Sequence, residues 1–254
     1  MNFDLIVAAA GKGTRLGIDT PKPLFEVNGK PILEIILEKF KFPIQKTILV
    51  VSKEGREFFE KFVRNLLDKP NFREWNFEIV VQELLIGTVG AVEIGLNKST
   101  ENNLFVVWGD HIGISQKLVD KMRLNFENKG DVSMILPTVR RSNPYVNFKR
   151  VDNKIVEFQE LKNLKIKLDY GENDCGCFLF DKDSLINSIE IFNKKNASKF
   201  EEHNFLEVFP YLEQQKNGIY TQVETDLDLT LGINTPTDVN HYKSVKNIMK
   251  TEDE

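Results

Sequence analysis

Residues 3–24 read FDLIVAAAGKGTRLGIDTPKPL. The apolar run Leu5-Ile6-Val7-Ala8-Ala9-Ala10 is short, uncharged and closed by a glycine-rich loop, the pattern of a strand buried on both faces of a parallel sheet. Gly11 and Gly13 let the chain turn sharply and bring its backbone close to a ligand. Lys12, Arg15 and Lys22 place three cations on the same loop. Backbone N–H groups and cations gathered beyond the carboxyl end of a strand suit a polyphosphate.

Three phosphate-binding readings compete for this loop. A P-loop needs G-x-x-x-x-G-K-[ST], but Ile6 stands at the first glycine and Gly13 at the Ser/Thr. A dinucleotide fingerprint needs G-x-G-x-x-G, and Leu16 occupies the third glycine. Both also require a helix opening at the loop, which Pro21 and Pro23 forbid. The third reading fits: Gly11-Lys12-Gly13-Thr14-Arg15-Leu16, a spacer, then Pro21-Lys22-Pro23-Leu24 resembles the signature of the nucleotidyltransferases that make nucleoside-diphosphate sugars and related activated compounds. A solvated basic turn is the plain alternative.

The 254 residues are 41% hydrophobic and 28% charged, with a net charge of −4, enough for one large α/β domain or two small ones. The charge argues against a nucleic-acid partner. No apolar run approaches the roughly 20 residues of a membrane span, and no signal peptide is expected ahead of the first strand. Cys175 and Cys177 are expected on alternating faces of one strand, which argues against a disulfide or zinc site. The expected location is the reducing cytoplasm.

Along the chain, helices are expected over Pro31–Phe40, Glu54–Leu67, Val89–Asn97 and Ser115–Asn125, and strands over Thr47–Ser52, Phe77–Gln82, Leu104–Trp108 and Asp131–Val139. In the second helix Phe58, Phe59, Phe62 and Leu66 are expected to face the sheet. Shorter strands follow at Val146–Arg150, Lys154–Glu160 and Leu164–Tyr170, then Cys175–Phe180 in the core. Ser184–Asn193 and Asn204–Gln215 read as helices, the second bent or split at Pro210. Ile219–Val223 and Asp228–Ile233 read as strands, Pro236 opens a last helix, and Thr251–Glu254 is an acidic end expected to fray. The fold class is therefore α/β: a Rossmann-like, mostly parallel (mixed) sheet flanked by helices, with a small antiparallel subdomain covering one edge. No hexapeptide repeat is present, so nothing in the sequence points to a fused acyltransferase.

Three further segments resemble the same family, in its order. Gln82 with Gly87-Thr88-Val89-Gly90-Ala91 is similar to its base- and ribose-holding element; a primary amide offers a base edge both a donor and an acceptor. Val106-Val107-Trp108-Gly109-Asp110 puts an acid at the carboxyl edge of the sheet, where ligands of open α/β folds bind. Leu231-Gly232-Ile233-Asn234-Thr235-Pro236 is similar to the family's closing element. The resemblance makes Asp110 and Asn234 the ligands of a Mg²⁺ cofactor, with Asp226 and Asp228 in reserve. Mg²⁺ takes few protein carboxylates and completes its shell with water and phosphate. Each segment also has an ordinary structural reading: a strand-end amide, a turn aspartate, an N-cap before Pro236.

The resemblance covers about residues 3–240 and implies a single domain over 1–254: a nucleotide-binding part (1–140), an acceptor-binding part (141–235) and a closing helix and tail. Ala8, Ala9, Ala10, Gly11, Gly13, Thr14, Gln82, Gly87 and Thr88 would hold the nucleotide, and Arg15 and Lys22 would be catalytic. Glu160 and Lys162, sharing one face if extended, would meet the acceptor with Asp174, Arg140, Arg141 and His111. Trp108 is expected in the core and His111 at the surface beside the site. Asp174-Cys175-Gly176 departs from the Asn that many relatives carry, which unsettles ordinary sugar recognition. The implied partners are a nucleoside triphosphate, with CTP favoured by the likeness to small-molecule cytidylyltransferases, and a phosphorylated small molecule. A sugar-1-phosphate uridylyl-, guanylyl- or thymidylyltransferase, or a non-catalytic nucleotide-binding module, is the alternative. The sequence leaves the oligomeric state open.

Overall fold

The structure is a computed structural model. It describes residues 1–254 except 12–15, 18, 85–86, 197–201, 216 and 253–254, and leaves out the side chains of 162 and 246–252. Gly13, Thr14 and Arg15 therefore lie outside the described residues.

The first strand, β1 (Phe3–Ala8), forms the middle of the sheet. Leu5, Ile6 and Val7 are fully buried, but on opposite sides. Leu5 and Val7 join one core cluster, and Ile6 joins the other. That is the period-2 alternation of a strand covered on both faces. Short β2 (Glu26–Val27) and β3 (Lys30–Pro31) pair with one another before α1 (Ile32–Leu37). Then come β4 (Ile44–Ser52), α2 (Arg56–Leu67), β5 (Phe77–Gln82), α3 (Gly87–Leu96), β6 (Asn103–Trp108) and α4 (Gln116–Lys129). Strands β4 and β6 flank β1 in parallel, with Ile6 opposite Ile48 and Val106, and β5 extends β4. Helix α3 lies close against β1: a Cβ on Gly95 would sit 2.5 Å from Cγ2 of Ile6. In α2, Phe59, Val63 and Leu66 form the buried stripe. Phe58 was expected on that stripe but points to solvent, because it falls one residue off the i, i+4, i+7 face.

The second half supplies β7 (Met134–Ser142), β8 (Val146–Val151), β9 (Lys154–Glu160), the helical turn α5 (Leu161–Leu164), β10 (Tyr170–Asp174), β11 (Cys177–Asp181), α6 (Lys182–Asn196), α7 (Phe209–Glu213), β12 (Ile219–Glu224) and α8 (Pro236–Glu252). Among the described residues the main sheet has eight strands. β11 pairs antiparallel with β6 and β7, β10 continues along β7 antiparallel, and β12 pairs parallel with β7. The mixed, mostly parallel sheet flanked by helices matches the sequence expectation. Hairpin β8–β9 is the antiparallel addition. It is clamped to β10 by a bidentate pair from Arg150 to the buried Glu172, both contacts at 2.8 Å.

Three local expectations need correction. Leu164–Tyr170 is not a strand: Ile166 N–H closes a helical turn on Leu161 C=O at 3.0 Å, and pairing begins only at Tyr170. Asp228–Ile233 is not a strand either. The Asp226 carboxylate accepts from Asp228 N–H at 3.0 Å and bends Leu227–Thr230 into a 3-10 turn. At Pro210 the expected break takes the form of a split: Pro210 sits in the first turn of α7, after a separate 3-10 turn at Phe205–Val208. Cys175 and Cys177 are free and share one core cluster rather than alternating faces, since strand alternation separates adjacent residues and not residues two apart. Burial pushes both thiols up in pKa, so almost no thiolate forms near neutral pH. A thiol reagent is expected to label neither cysteine in the folded protein and both after denaturation; rapid native labelling would contradict this packing.

Candidate active site

The cleft opens where the sheet order reverses around β1, beyond the carboxyl ends of β1 and β6, the place where open α/β sheets bind ligands. It encloses about 1300 Å³. Ala8, Ala10 and Gly11 from the β1 loop line it. Ala9 does not: its side chain is in the core and its N–H donates to Val50 C=O at 2.8 Å.

Lys22 is carried by a 3-10 turn, Lys22–Leu24, closed by Leu24 N–H on Pro21 C=O at 2.9 Å. Its prolines hold the backbone while the side chain, mostly buried, enters the cleft. There the ammonium donates to Asp110 Oδ2 and, at 2.7 Å, to Asn234 Oδ1. Three groups far apart in the chain thus meet at one point.

Their supports are backbone contacts. Gly109 N–H donates to Ala8 C=O at 3.0 Å, and a Cβ there would lie 3.0 Å from Pro23 Cγ, so glycine lets the β1, Lys22 and β6 segments meet. Ile233 N–H donates to Asp110 C=O at 2.9 Å, and Gly113 N–H to Leu231 C=O at 3.0 Å. Asn234 is fixed from behind by Asp238, whose Oδ2 accepts from Asn234 N–H at 2.8 Å and Thr235 N–H at 2.7 Å. The reserve acids have other partners, although Asp228 also lines the cleft. Asp226 caps the 3-10 turn, and Asp228 Oδ1 contacts His241 Nε2 at 3.0 Å.

Asp110 and Asn234 present two oxygens to one cation, here the Lys22 ammonium. That donor set, one carboxylate and one amide oxygen, fits Mg²⁺, which draws its remaining ligands from water and phosphate. Among the described residues no cluster of three His, Cys, Asp or Glu offers an alternative metal site.

On the nucleotide side Gln82 is buried at the end of β5 and lines the cleft; its Nε2 donates to Gly87 C=O at 3.0 Å. Gly87 has φ +85°, and a Cβ there would meet His203 C=O at 2.3 Å, so only glycine fits. Thr88 Oγ1 accepts from Phe205 N–H at 2.7 Å. Both line the cleft, but this segment is also laced to residues 203–205. Through it Glu202 and Asn204 reach the lining, which sequence reading missed because nothing local links them to Gly87.

On the far side, Asp174, Arg141, Glu160 and His111 line the cleft. His111 is not at the surface as expected but buried, its ring lying where a Cβ of Gly176 would fall, 2.2 Å from Cγ. Burial lowers its pKa, against the pull of the Asp174 and Asp110 carboxylates. Asp174 is buried too, accepts from Gly176 N–H at 2.8 Å, and is held toward its protonated form by desolvation. Arg141 donates to Thr230 Oγ1 at 2.8 Å. Arg140, its neighbour on β7, is exposed and absent from the lining, as strand alternation requires. Lys162 falls in α5, so it does not share an extended face with Glu160. Trp108 is half-buried and packs on Phe178 and Phe205 with ring centroids 5.3 and 5.9 Å away. Tyr145, also lining the cleft, carried no sequence signal.

Comparison with known proteins agrees with this fold. The chain is 30% identical over 203 residues to the bifunctional protein GlmU of Buchnera aphidicola subsp. Baizongia pistaciae, a match over 78% of this chain and 43% of that protein. It is 25% identical over 255 residues to GlmU of Lawsonia intracellularis, covering 95% and 51%. The chain spans about half the length of the curated relatives it matches. Among solved structures, a nucleoside-diphosphate-sugar pyrophosphorylase from Vibrio cholerae RC9 superposes with a TM-score of 0.70 at 14% identity, over 94% of this chain and 98% of that one. A 4-diphosphocytidyl-2C-methyl-D-erythritol synthase from Anaerococcus prevotii gives 0.67 at 18% identity, over 96% of each. Those two likenesses speak to the fold. The family model of the MobA-like NTP transferase domain matches residues 5–166, more than half of the chain, and the chain belongs to that family.

Proposed function

We propose that this nucleotidyltransferase uses Mg²⁺ to join a nucleoside triphosphate, CTP by preference, to a phosphorylated small molecule, with release of pyrophosphate. The observation that carries the reading is the meeting of Lys22, Asp110 and Asn234 at the mouth of β1 and β6. An acceptor phosphate oxygen attacks the α-phosphorus in line, an NMP-linked product forms, and the α–β bridging bond breaks toward pyrophosphate. Such a phosphate oxygen is already ionised near neutral pH, so no general base is needed. The work of the chain is alignment and neutralisation of charge that grows in flight. Lys22 meets charge on the α-phosphate and the departing pyrophosphate, with Arg15 as its partner from the loop. Bound at Asp110 and Asn234, Mg²⁺ would supply Lewis-acid stabilisation of the same oxygens. Ala8, Ala10 and Gly11 bring backbone to the nucleotide, and Gln82 faces the base.

For the acceptor, the cleft offers Arg141, Glu160, Asp174 and His111, a mixed cationic and acidic wall. Phosphoglutamine is the favoured candidate, since as a whole chain this sequence resembles CTP:phosphoglutamine cytidylyltransferase of bacterial capsule phosphoramidate synthesis. That would place the enzyme in capsule or cell-surface polysaccharide assembly, in the cytoplasm. A sugar 1-phosphate is the second candidate, in keeping with the name of the Vibrio cholerae neighbour. No helix is long and apolar enough to cross a membrane, among the described residues. Pyrophosphate release measured with four NTPs against phosphoglutamine and a set of sugar 1-phosphates separates the cases. CTP with phosphoglutamine is expected to be fastest. Release with UTP or dTTP and a sugar 1-phosphate would overturn the substrate assignment, and no release with any pair would favour a non-catalytic nucleotide-binding module.

A further inference from the structure

The Lys22 ammonium occupies the space between the two oxygens assigned to the metal. It donates to both Asp110 Oδ2 and Asn234 Oδ1, and Asp110 is the only carboxylate against it among the described residues. The backbones that carry the two oxygens are held in place. Asp110 follows β6 directly, its carbonyl holds Ile233, and Asn234 is pinned through its backbone by Asp238. The lysine is the adjustable party: its backbone is set by the Pro21–Leu24 turn, but its ammonium rides on a flexible four-carbon stem. A second cation placed on the same oxygens would face the ammonium at contact distance, with one carboxylate to neutralise both. Neither occupant tolerates the other until more negative charge arrives.

We propose that Lys22 and the divalent cation are alternative occupants of one two-oxygen site, so that the cation enters only as the nucleotide phosphates draw the ammonium away. Binding is then ordered. Without metal the Lys22 ammonium balances the Asp110 carboxylate, and the triphosphate brings the charge that lets Lys22 move to phosphate while the metal takes Asp110 and Asn234. The proposal rests on the assignment of Asp110 and Asn234 as the metal-binding pair, and its test does not depend on turnover.

The probe is Mn²⁺, titrated by electron paramagnetic resonance against the full chain. Wild-type protein is expected to bind Mn²⁺ at least tenfold more tightly with a non-hydrolysable CTP analogue than without nucleotide, after subtraction of binding to the analogue alone. Lys22→Met keeps the stem and removes the charge; nucleotide-free Mn²⁺ binding is expected to tighten at least tenfold, and Lys22→Met/Asp110→Asn to lose that gain. Should Lys22→Met fold poorly, the two wild-type titrations still decide. The proposal is overturned if nucleotide-free wild-type protein binds Mn²⁺ as tightly as the analogue complex, or if folded Lys22→Met gains nothing. A gain in Lys22→Met together with no pyrophosphate release from wild type would uphold the exchange and reject the enzymatic reading. Release of pyrophosphate without the gain would do the reverse.

Discussion

Asp110→Ala is expected to lower kcat for pyrophosphate release by about a thousandfold, the scale on which loss of a preorganised charge-stabilising group costs catalysis. The residue sits where the apolar β6 strand ends and is the carboxylate that faces Lys22. Its removal takes away both the anionic half of the proposed metal pair and the counter-charge that orients the lysine. Lys22→Ala is expected to lose about as much, because it deletes the cation that meets the developing charge. Neither change is expected to unfold the protein. The Asp110 side chain is about a quarter exposed, and partly exposed ion pairs contribute ~1 kcal/mol or less to stability. Steady-state kinetics beside a thermal melt check this. Folded variants within tenfold of wild type would remove both residues from the mechanism.

The second large effect is on stability. In Gly113→Ala the added Cβ would lie 2.0 Å from the Asp228 carbonyl oxygen and 3.0 Å from Leu231 N. Both are backbone atoms, so no side chain can swing aside. The loop after β6 must move away from residues 228–231, and a loss of about 3 kcal/mol is expected, at the upper end for overpacking. For a domain of this size that is a fall in Tm of roughly 6–12 °C. The same displacement pulls Asn234 from Asp110, since Gly113 N–H to Leu231 C=O is one of the two backbone bonds that join their segments. Activity is therefore expected to fall below what the remaining folded fraction explains. A melt within 2 °C of wild type, a shift of about 1 kcal/mol or less, would contradict the close packing of this loop.

The legible parts of the sequence were those where periodicity or steric rules act locally. Residues Leu5–Ala8 announced a strand buried on both faces, and the structure divides Leu5, Ile6 and Val7 between two cores. Pro21 and Pro23 announced a loop rather than a helix, and they carry Lys22 on a 3-10 turn. The proposed metal pair comes from motif resemblance, but the meeting of Asn234 with Lys22, 212 residues away in sequence, is visible only in three dimensions.

What sequence could not reveal depends on tertiary partners. His111 reads as a polar residue after a strand, and its burial follows from the space Gly176 leaves for its ring. Arg140 and Arg141 read as one basic pair, and the register of β7 sends only Arg141 into the cleft. Asp228–Ile233 reads as a strand until the Asp226 carboxylate captures the Asp228 amide. Glu160 and Lys162 read as a shared strand face, which holds only if the chain stays extended past residue 160, and it turns instead into α5.

The central claim is that attack falls on the α-phosphorus at the Lys22–Asp110–Asn234 site. CTP labelled at the α-phosphate, incubated with the protein, Mg²⁺ and phosphoglutamine or a sugar 1-phosphate, tests it most directly. The account predicts that label passes into a new nucleotide-linked product, that the pyrophosphate released in equal amount carries none, and that Asp110→Ala abolishes the transfer. Label left in free CMP or CDP with none in a nucleotide-linked product, or undiminished transfer by Asp110→Ala, would contradict it.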